Sequence, residues 1–322
     1  MRREDVISLL GADWTAYESL VREALRSDIS LLDRVNASLL ANSGKQLRPM
    51  LSLLMARACG KTNGDSLHYA AASELLHNAT LMHDDVADES SIRRGQPTLS
   101  ALIGPSSAVL VGDFWLSKAV KQILGTTHES QAVRLYSHTL SDLARGEMLQ
   151  LQKAESADTT EEDYFDIVHC KTASLFESTC LAAALSVDAP QALYDAAGRY
   201  GRATGIAFQI RDDIFDYWDE AAIGKPVGLD LKERKITLPL LGALRNAPDP
   251  ERLRAMVREI PAHPENCAVL HRFVLENCGV EYAAGRLNDF INEALAALEL
   301  LPPSQERDVL AELARFNAVR KI

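Results

Sequence analysis

The sequence is short of the residues that build sheets and covalent frameworks. Aromatics make up 6% of its 322 residues, with only 17 Gly and 12 Pro, too few for the turn-rich pattern of a sandwich or barrel. The five cysteines, Cys59, Cys170, Cys180, Cys267 and Cys278, are odd in number and include no Cys-x-x-Cys pair. That argues against a disulfide framework or a zinc site and predicts buried free thiols. No run of about 18 apolar residues occurs, and the opening Met-Arg-Arg-Glu-Asp lacks the apolar core of a signal peptide, so no integral membrane segment and a cytoplasmic location are expected. Basic charge is scarce as well: the net charge is −11. A nucleic-acid partner is therefore not expected, because displacing counterions needs a basic surface. Any anionic ligand must be met by a few local cations.

What is present is a 47% hydrophobic chain whose apolar residues recur at helical spacing, as at Val6, Leu9 and Leu10, then Leu20, Val21 and Leu25, then Leu31, Leu32, Val35 and Leu39. The fold class expected is all-α. Helix breaks are predicted at Pro248-Asp249-Pro250, between Pro261 and Pro264, and at Pro302-Pro303. No long linker divides the chain, so residues 1–322 are expected to form a single-domain helical bundle with a central cavity.

Two acidic clusters interrupt this apolar background. The first is Asp84-Asp85-x-x-Asp88, followed by Arg93-Arg94-Gly95; the second is Gln209-x-x-Asp212-Asp213-x-x-Asp216. On a helix, Asp84 and Asp88 stack at i and i+4 while Asp85 turns away by about 100°. Stacked like charges destabilise a helix, and a divalent cation relieves them; hard Mg²⁺ prefers a few carboxylates, water and substrate phosphate oxygens. One such cluster reads as a solvated helix end. Two, each within apolar helical sequence, read as metal-binding equipment facing one shared cleft.

The cations suit the same ligand class. Lys45 and Arg48 lie where a polar turn opens an apolar helix, a place where backbone N–H groups also favour anions. His77 stands two turns before Asp84 on nearly the same face. Lys171, beside Thr172, is predicted mid-helix between apolar turns, either snorkelling or aimed at an anion. The loop from Gly224 to Lys235, with Lys225, suits a lid over phosphate. Gly112-Asp113 sits in an apolar helix, where a buried Asp is expected to hold a basic residue in place, with metal binding as the alternative. The run Arg145-Gly146-Glu147, with Gln150, is polar within another helix. No nucleophile and base pair is evident. Facing carboxylate clusters can clamp a departing diphosphate through metal ions, leaving a carbocation to be steadied by weak dipoles such as the Thr172 hydroxyl and the Gln209 side chain.

In order along nearly the whole chain, Gly44-Lys45-x-x-Arg48-Pro49, the first aspartate motif with Arg93-Arg94-Gly95, Gly112-Asp113, Lys171-Thr172, the second aspartate motif and Gly224-Lys225 resemble the trans-isoprenyl diphosphate synthases, or polyprenyl synthetases. The resemblance implies a homodimeric helical prenyltransferase joining isopentenyl diphosphate head to tail to an allylic diphosphate. It implies Mg²⁺, three ions with substrate bound, held by Asp84, Asp88 and Asp212, with Asp85, Asp213 and Asp216 in support. It assigns Lys45, Arg48, His77 and Arg94 to isopentenyl diphosphate, and Arg93, Lys171, Gln209, Lys225 and Lys235 to the allylic side. In the family a bulky aromatic four or five residues before the first Asp floors the product pocket. Here those positions are Thr80 and Ala79, with Leu76, Ser73 or Ala72, and Tyr69 following on that side. Long-chain synthesis is the expectation, octaprenyl diphosphate first, with heptaprenyl and solanesyl diphosphate next. A farnesyl or geranylgeranyl diphosphate synthase is the alternative. A terpene cyclase is disfavoured by the intact second aspartate motif, and a non-catalytic prenyl-binding subunit by the presence of both.

Overall fold

The computed structural model describes residues 2–41, 44–93, 95–218 and 228–319. Among these the chain is helical apart from a two-residue antiparallel ladder, Ile92–Arg93 against Gln96–Pro97, which the all-α expectation did not include. Arg94, Lys225 and the Gly224–Val227 part of the expected lid lie outside the described residues. No described helix is long and apolar enough to cross a membrane. The chain divides into two compact units, one of Met1–Tyr136, Thr179–Asp195 and Leu301–Leu310, the other of Ser137–Ser178, Ala196–Leu300 and Ala311–Ile322.

In the first unit the helix Leu47–Cys59 is buried on nearly every side, from Pro49 through Ala56, which is why its sequence shows little amphipathic alternation. Beside it runs Gly64–Ala87, the first aspartate helix. Asn63 caps this helix, accepting from the Ser66 backbone N–H at 3.1 Å while the Asn63 N–H donates to Ser66 Oγ at 3.2 Å. This reciprocal pair fixes the start of the helix and therefore the phase of everything that follows. Ala70, Ala71 and Ala72 are fully buried; their small side chains let neighbouring helices approach. The buried Asn36 is satisfied on both sides: it accepts from Trp115 Nε1 and donates to the Leu25 carbonyl, both at 2.8 Å.

The second unit is cored by Val168, Ile206, Ile210, Ile214, Leu238, Leu270 and Val274. Its central element is the second aspartate helix, Gln191–Phe215. A Cβ on Gly201 would stand 2.6 Å from the Phe176 carbonyl oxygen, and one on Gly205 2.6 Å from Ala173 Cα. Only glycine permits that approach, and it sets Gln209, one turn beyond Gly205, beside the 169–173 segment. The expected breaks at prolines are present: Pro250 opens the helix Pro250–Arg258, and turns separate it from Asn266–Glu276, and Gly279–Leu298 from Gln305–Val319.

Two readings are corrected. The helix expected around Lys171 is instead Glu161–Val168, a π-turn His169–Ala173 that carries Lys171, then Ser174–Ser186. The thiols are free as expected, but only Cys170 and Cys180 are buried; Cys278 is exposed.

Candidate active site

The first aspartate helix ends at Ala87, and Asp88 caps it, its N–H donating to the Asp84 carbonyl at 2.8 Å. Asp84 is half-buried and Asp88 exposed, whereas Asp85 is 6% exposed. The spacing accounts for this: Asp85 turns onto the packed face with Met82. A buried carboxylate needs a partner, and the small hairpin supplies one by bringing Arg93 Nε to 2.5 Å from Asp85 Oδ1. The hairpin is pinned by Thr98, whose hydroxyl donates to the Ser90 carbonyl at 2.7 Å. His77 and Thr80 are half-buried on the same helix, with Thr80 Oγ1 donating to the His77 carbonyl at 2.9 Å. Ala79 has no exposed surface, and Leu76 has 2%.

Lys45 lies exposed in the turn before Leu47–Cys59, and Arg48 is half-buried in that helix's first turn. The backbone there is left-handed at Gly44 (φ 67°) and Gln46 (φ 50°). Arg3 braces it from the chain's first helix through the Gln46 side chain at 2.8 Å. Asp113 was expected to be buried; its side chain is 60% exposed, and it holds His83, with Nε2 3.3 Å from Oδ1. The His83 ring occupies the space where a Gly112 Cβ would lie, 2.4 Å from Nε2.

In the second unit, Lys171, Thr172, Gln209, Asp213 and Lys235 line one cavity of about 130 Å³. A hydrogen-bonded chain orders its wall. Thr172 Oγ1 donates to Gln209 Oε1 at 2.9 Å, the Gln209 amide donates to Asp213 Oδ1 at 2.8 Å, and the Tyr164 hydroxyl donates to Asp213 Oδ2 at 2.6 Å. Burial pushes the Asp213 carboxyl up to about 7 against the pull of those two donors, and the charges of Asp212 and Asp216 add to the rise. Asp212 is exposed and touches only its neighbour Arg211, at 3.0 Å, among the ion pairs of the described residues. Asp216 is committed to the backbone, accepting from the Leu229 and Asp230 N–H groups at 3.0 Å each. Lys171 pairs with Glu147 at 2.5 Å, and Lys235 with Glu233.

The lining residues without an assignment from sequence include Lys153, Tyr164 and Asp230. Tyr164 sits in an ordinary amphipathic turn, and nothing local marks its bond to Asp213, 49 residues away. Asp230 lies in the short helix Leu229–Lys232 that Gly228 opens; burial first, then the charges of Asp213 and Asp216, hold its carboxyl well above the usual range.

Residues 29–273 match the polyprenyl synthetase family. The all-trans-nonaprenyl-diphosphate synthase (geranyl-diphosphate specific) of Rhodobacter capsulatus is 37% identical, over 98% of this chain and 97% of that one. The octaprenyl diphosphate synthase of Escherichia coli (strain K12) is 35% identical over 99% of each. The crystal structure of a decaprenyl diphosphate synthase from Rhodobacter capsulatus superposes with a TM-score of 0.91 at 33% identity, covering 98% of both chains. The all-α expectation and the resemblance read from the motifs both hold: the chain belongs to the polyprenyl synthetase family and is a prenyltransferase of the trans-polyprenyl diphosphate synthase kind.

Proposed function

We propose that the protein condenses isopentenyl diphosphate head to tail with an allylic diphosphate to make a long all-trans polyprenyl diphosphate, octaprenyl diphosphate foremost, with Mg²⁺ as cofactor. The observation that carries the reading is the unequal state of the carboxylates. In each motif the second aspartate is buried and bonded to protein, while Asp84, Asp88 and Asp212 keep accessible surface. Accessible carboxylates fit a hard ion that takes the rest of its shell from water and phosphate.

Asp84, Asp88 and Asp212 would hold Mg²⁺, three ions with substrate bound, which when present neutralises the charge growing on the departing diphosphate. Lys171 and Lys235 would grip the allylic diphosphate, with Lys225 and with Arg93, whose Nε is committed to Asp85. Lys45, Arg48, His77 and Arg94 would hold isopentenyl diphosphate, which keeps its own diphosphate throughout. As the allylic carbon–oxygen bond breaks, its electron pair leaves with the diphosphate. The double bond of isopentenyl diphosphate attacks the cation, and the new cation loses a proton to the departed diphosphate. Thr172 and Gln209, locked in the bonded chain to Asp213, would present fixed dipoles to the transient positive charge.

Long product length rests on the first aspartate helix. Thr80 offers no bulk beside the aspartates, and from Asp84 back to Tyr69 the helix rises roughly 22 Å, at 1.5 Å per residue. Tyr69 is fully buried and anchored, its hydroxyl 2.8 Å from Thr126 Oγ1 and its carbonyl accepting from the Tyr136 hydroxyl at 3.2 Å. It would form the floor of the product tunnel. One domain spanning both units, a homodimer and a cytoplasmic location belong to the same proposal, and sedimentation should give a particle of two chains. Incubation with isopentenyl diphosphate, farnesyl diphosphate and Mg²⁺ tests the activity: chain growth is expected, and a cyclised product or no turnover would overturn it.

A further inference from the structure

The Arg145-Gly146-Glu147 run takes no part in the chemistry proposed above, yet all three residues act on the π-turn that carries Lys171 and Thr172. Arg145 donates from Nη1 to Asp166 Oδ1 and to Cys170 Sγ, both at 2.9 Å, tying the last turn of the Glu161–Val168 helix to the π-turn. Gly146 leaves the space: a Cβ there would lie 2.8 Å from Cys170 Cβ and 2.9 Å from the Lys171 backbone nitrogen. Glu147 then places Oε2 2.5 Å from Lys171 Nζ, while the Gln150 amide reaches its Oε1 at 3.4 Å. The two charged side chains are 29% and 26% exposed. A π-turn inserts a residue and redirects the side chains it carries, so an element has to hold it in register. Here one three-residue stretch does so by an ion pair, a missing side chain and a second ion pair in succession.

Lys171 lines the same cavity as Asp213 and Asp230, but its ammonium is paired with Glu147, which does not line that cavity. We propose that Glu147 is a positioning residue, the resting counter-ion that holds Lys171 at the cavity wall and yields it to a diphosphate group. This rests on the assignment of Lys171 to the allylic diphosphate. A diphosphate entering the cavity carries more charge than one carboxylate and exchanges for Glu147 at Lys171; when it leaves, Glu147 reclaims the lysine. The carboxylate therefore competes with the ligand, weakening diphosphate binding and easing its departure. A purely structural brace would do the opposite, since its loss would misplace Lys171 and weaken binding.

The test is calorimetric titration of the protein with inorganic diphosphate in Mg²⁺, comparing wild type, Glu147→Gln, Lys171→Gln and the double variant. Glu147→Gln keeps the shape and removes the charge. It should tighten diphosphate binding about three- to tenfold, the scale of one half-exposed ion pair, and the gain should vanish when Lys171 is already Gln. Unchanged or weaker binding in Glu147→Gln, or an equal gain in the Lys171→Gln background, would overturn the proposal. A wild type that elongates prenyl chains while its diphosphate affinity ignores Glu147→Gln sinks the counter-ion alone. A wild type that neither elongates nor binds diphosphate sinks the assignment beneath it as well.

Discussion

The two Asp-Asp-x-x-Asp motifs are alike in spacing and unlike in physical state. In the first, the middle carboxylate is neutralised by Arg93 and the outer two, Asp84 and Asp88, keep accessible surface. In the second, the middle carboxylate faces no cation within ion-pair distance among the described residues. Asp213 is held by a phenol and an amide, and burial pushes it up to about 7. The third, Asp216, is bound to two backbone N–H groups of the Gly228–Asp230 stretch, leaving Asp212 as the exposed member. The same five-residue pattern therefore leaves Asp84 and Asp88 with accessible surface in one place, and in the other an exposed Asp212 beside a half-buried Asp216 that accepts from two backbone N–H groups. Spacing fixes which aspartates share a helix face; the partners that arrive from elsewhere in the chain decide which of them have oxygens to offer a metal.

The sharpest way to break this comparison is to neutralise one accessible carboxylate in each motif. Asp84→Asn and Asp212→Asn are each expected to lower kcat by on the order of 10² to 10³, the cost of one electrostatic contact made in the transition state, with thermal stability little changed. Near-normal turnover in both would remove the role of the motifs altogether.

The buried members differ in their response to pH. Asp213 binds its proton more tightly folded than unfolded, with its value raised from 3.8 to about 7. The folded state therefore holds the extra proton between those limits, and stability falls as pH rises from about 4 to about 7. Thermal denaturation of metal-free protein across that range should show the decline in wild type and a flatter profile in Asp213→Asn. An identical slope in the two would contradict the assignment.

The cations carry the asymmetry into substrate binding. Lys45→Ala is expected to raise KM for isopentenyl diphosphate, and Lys171→Ala that for the allylic diphosphate, each by about ten- to a hundredfold, as for loss of a charged hydrogen bond at roughly 1.5 to 3 kcal/mol. Steady-state kinetics with each substrate varied in turn checks this, and crossed effects would exchange the two assignments. Smallest is Arg93→Ala, which leaves Asp85 buried without its partner. Partial exposure of Arg93 limits the loss to about 1 to 2 kcal/mol of stability, read from chemical denaturation.

Features set by near neighbours in sequence were legible without the structure. The break at Pro248-Asp249-Pro250 and the turning of Asp85 away from Asp84 and Asp88 follow from residues a few positions apart. What was not legible depends on distant partners. The π-turn exists against the space left by Gly146 and Gly205, and neither glycine announces that in its own surroundings. Tyr164 reaches Asp213 across 49 residues. Asp113 looked buried because its neighbours are apolar, but its place on the helix turns it outward to His83. Ala79 is another case: it has no exposed surface, and Thr80 beside it is half-buried. Thr80→Phe is therefore the less disruptive way to shorten the product, since a Phe at Ala79 would also overpack the core.

The central claim is that Asp88 is a metal ligand while Asp216, at the same place in its motif, serves the fold. The direct measurement is the Mg²⁺ concentration giving half-maximal turnover in Asp88→Asn and Asp216→Asn, with both substrates saturating. Asp88→Asn should raise it at least several-fold, and Asp216→Asn should leave it at the wild-type value while lowering thermal stability. A raised Mg²⁺ requirement in Asp216→Asn with none in Asp88→Asn would contradict the account.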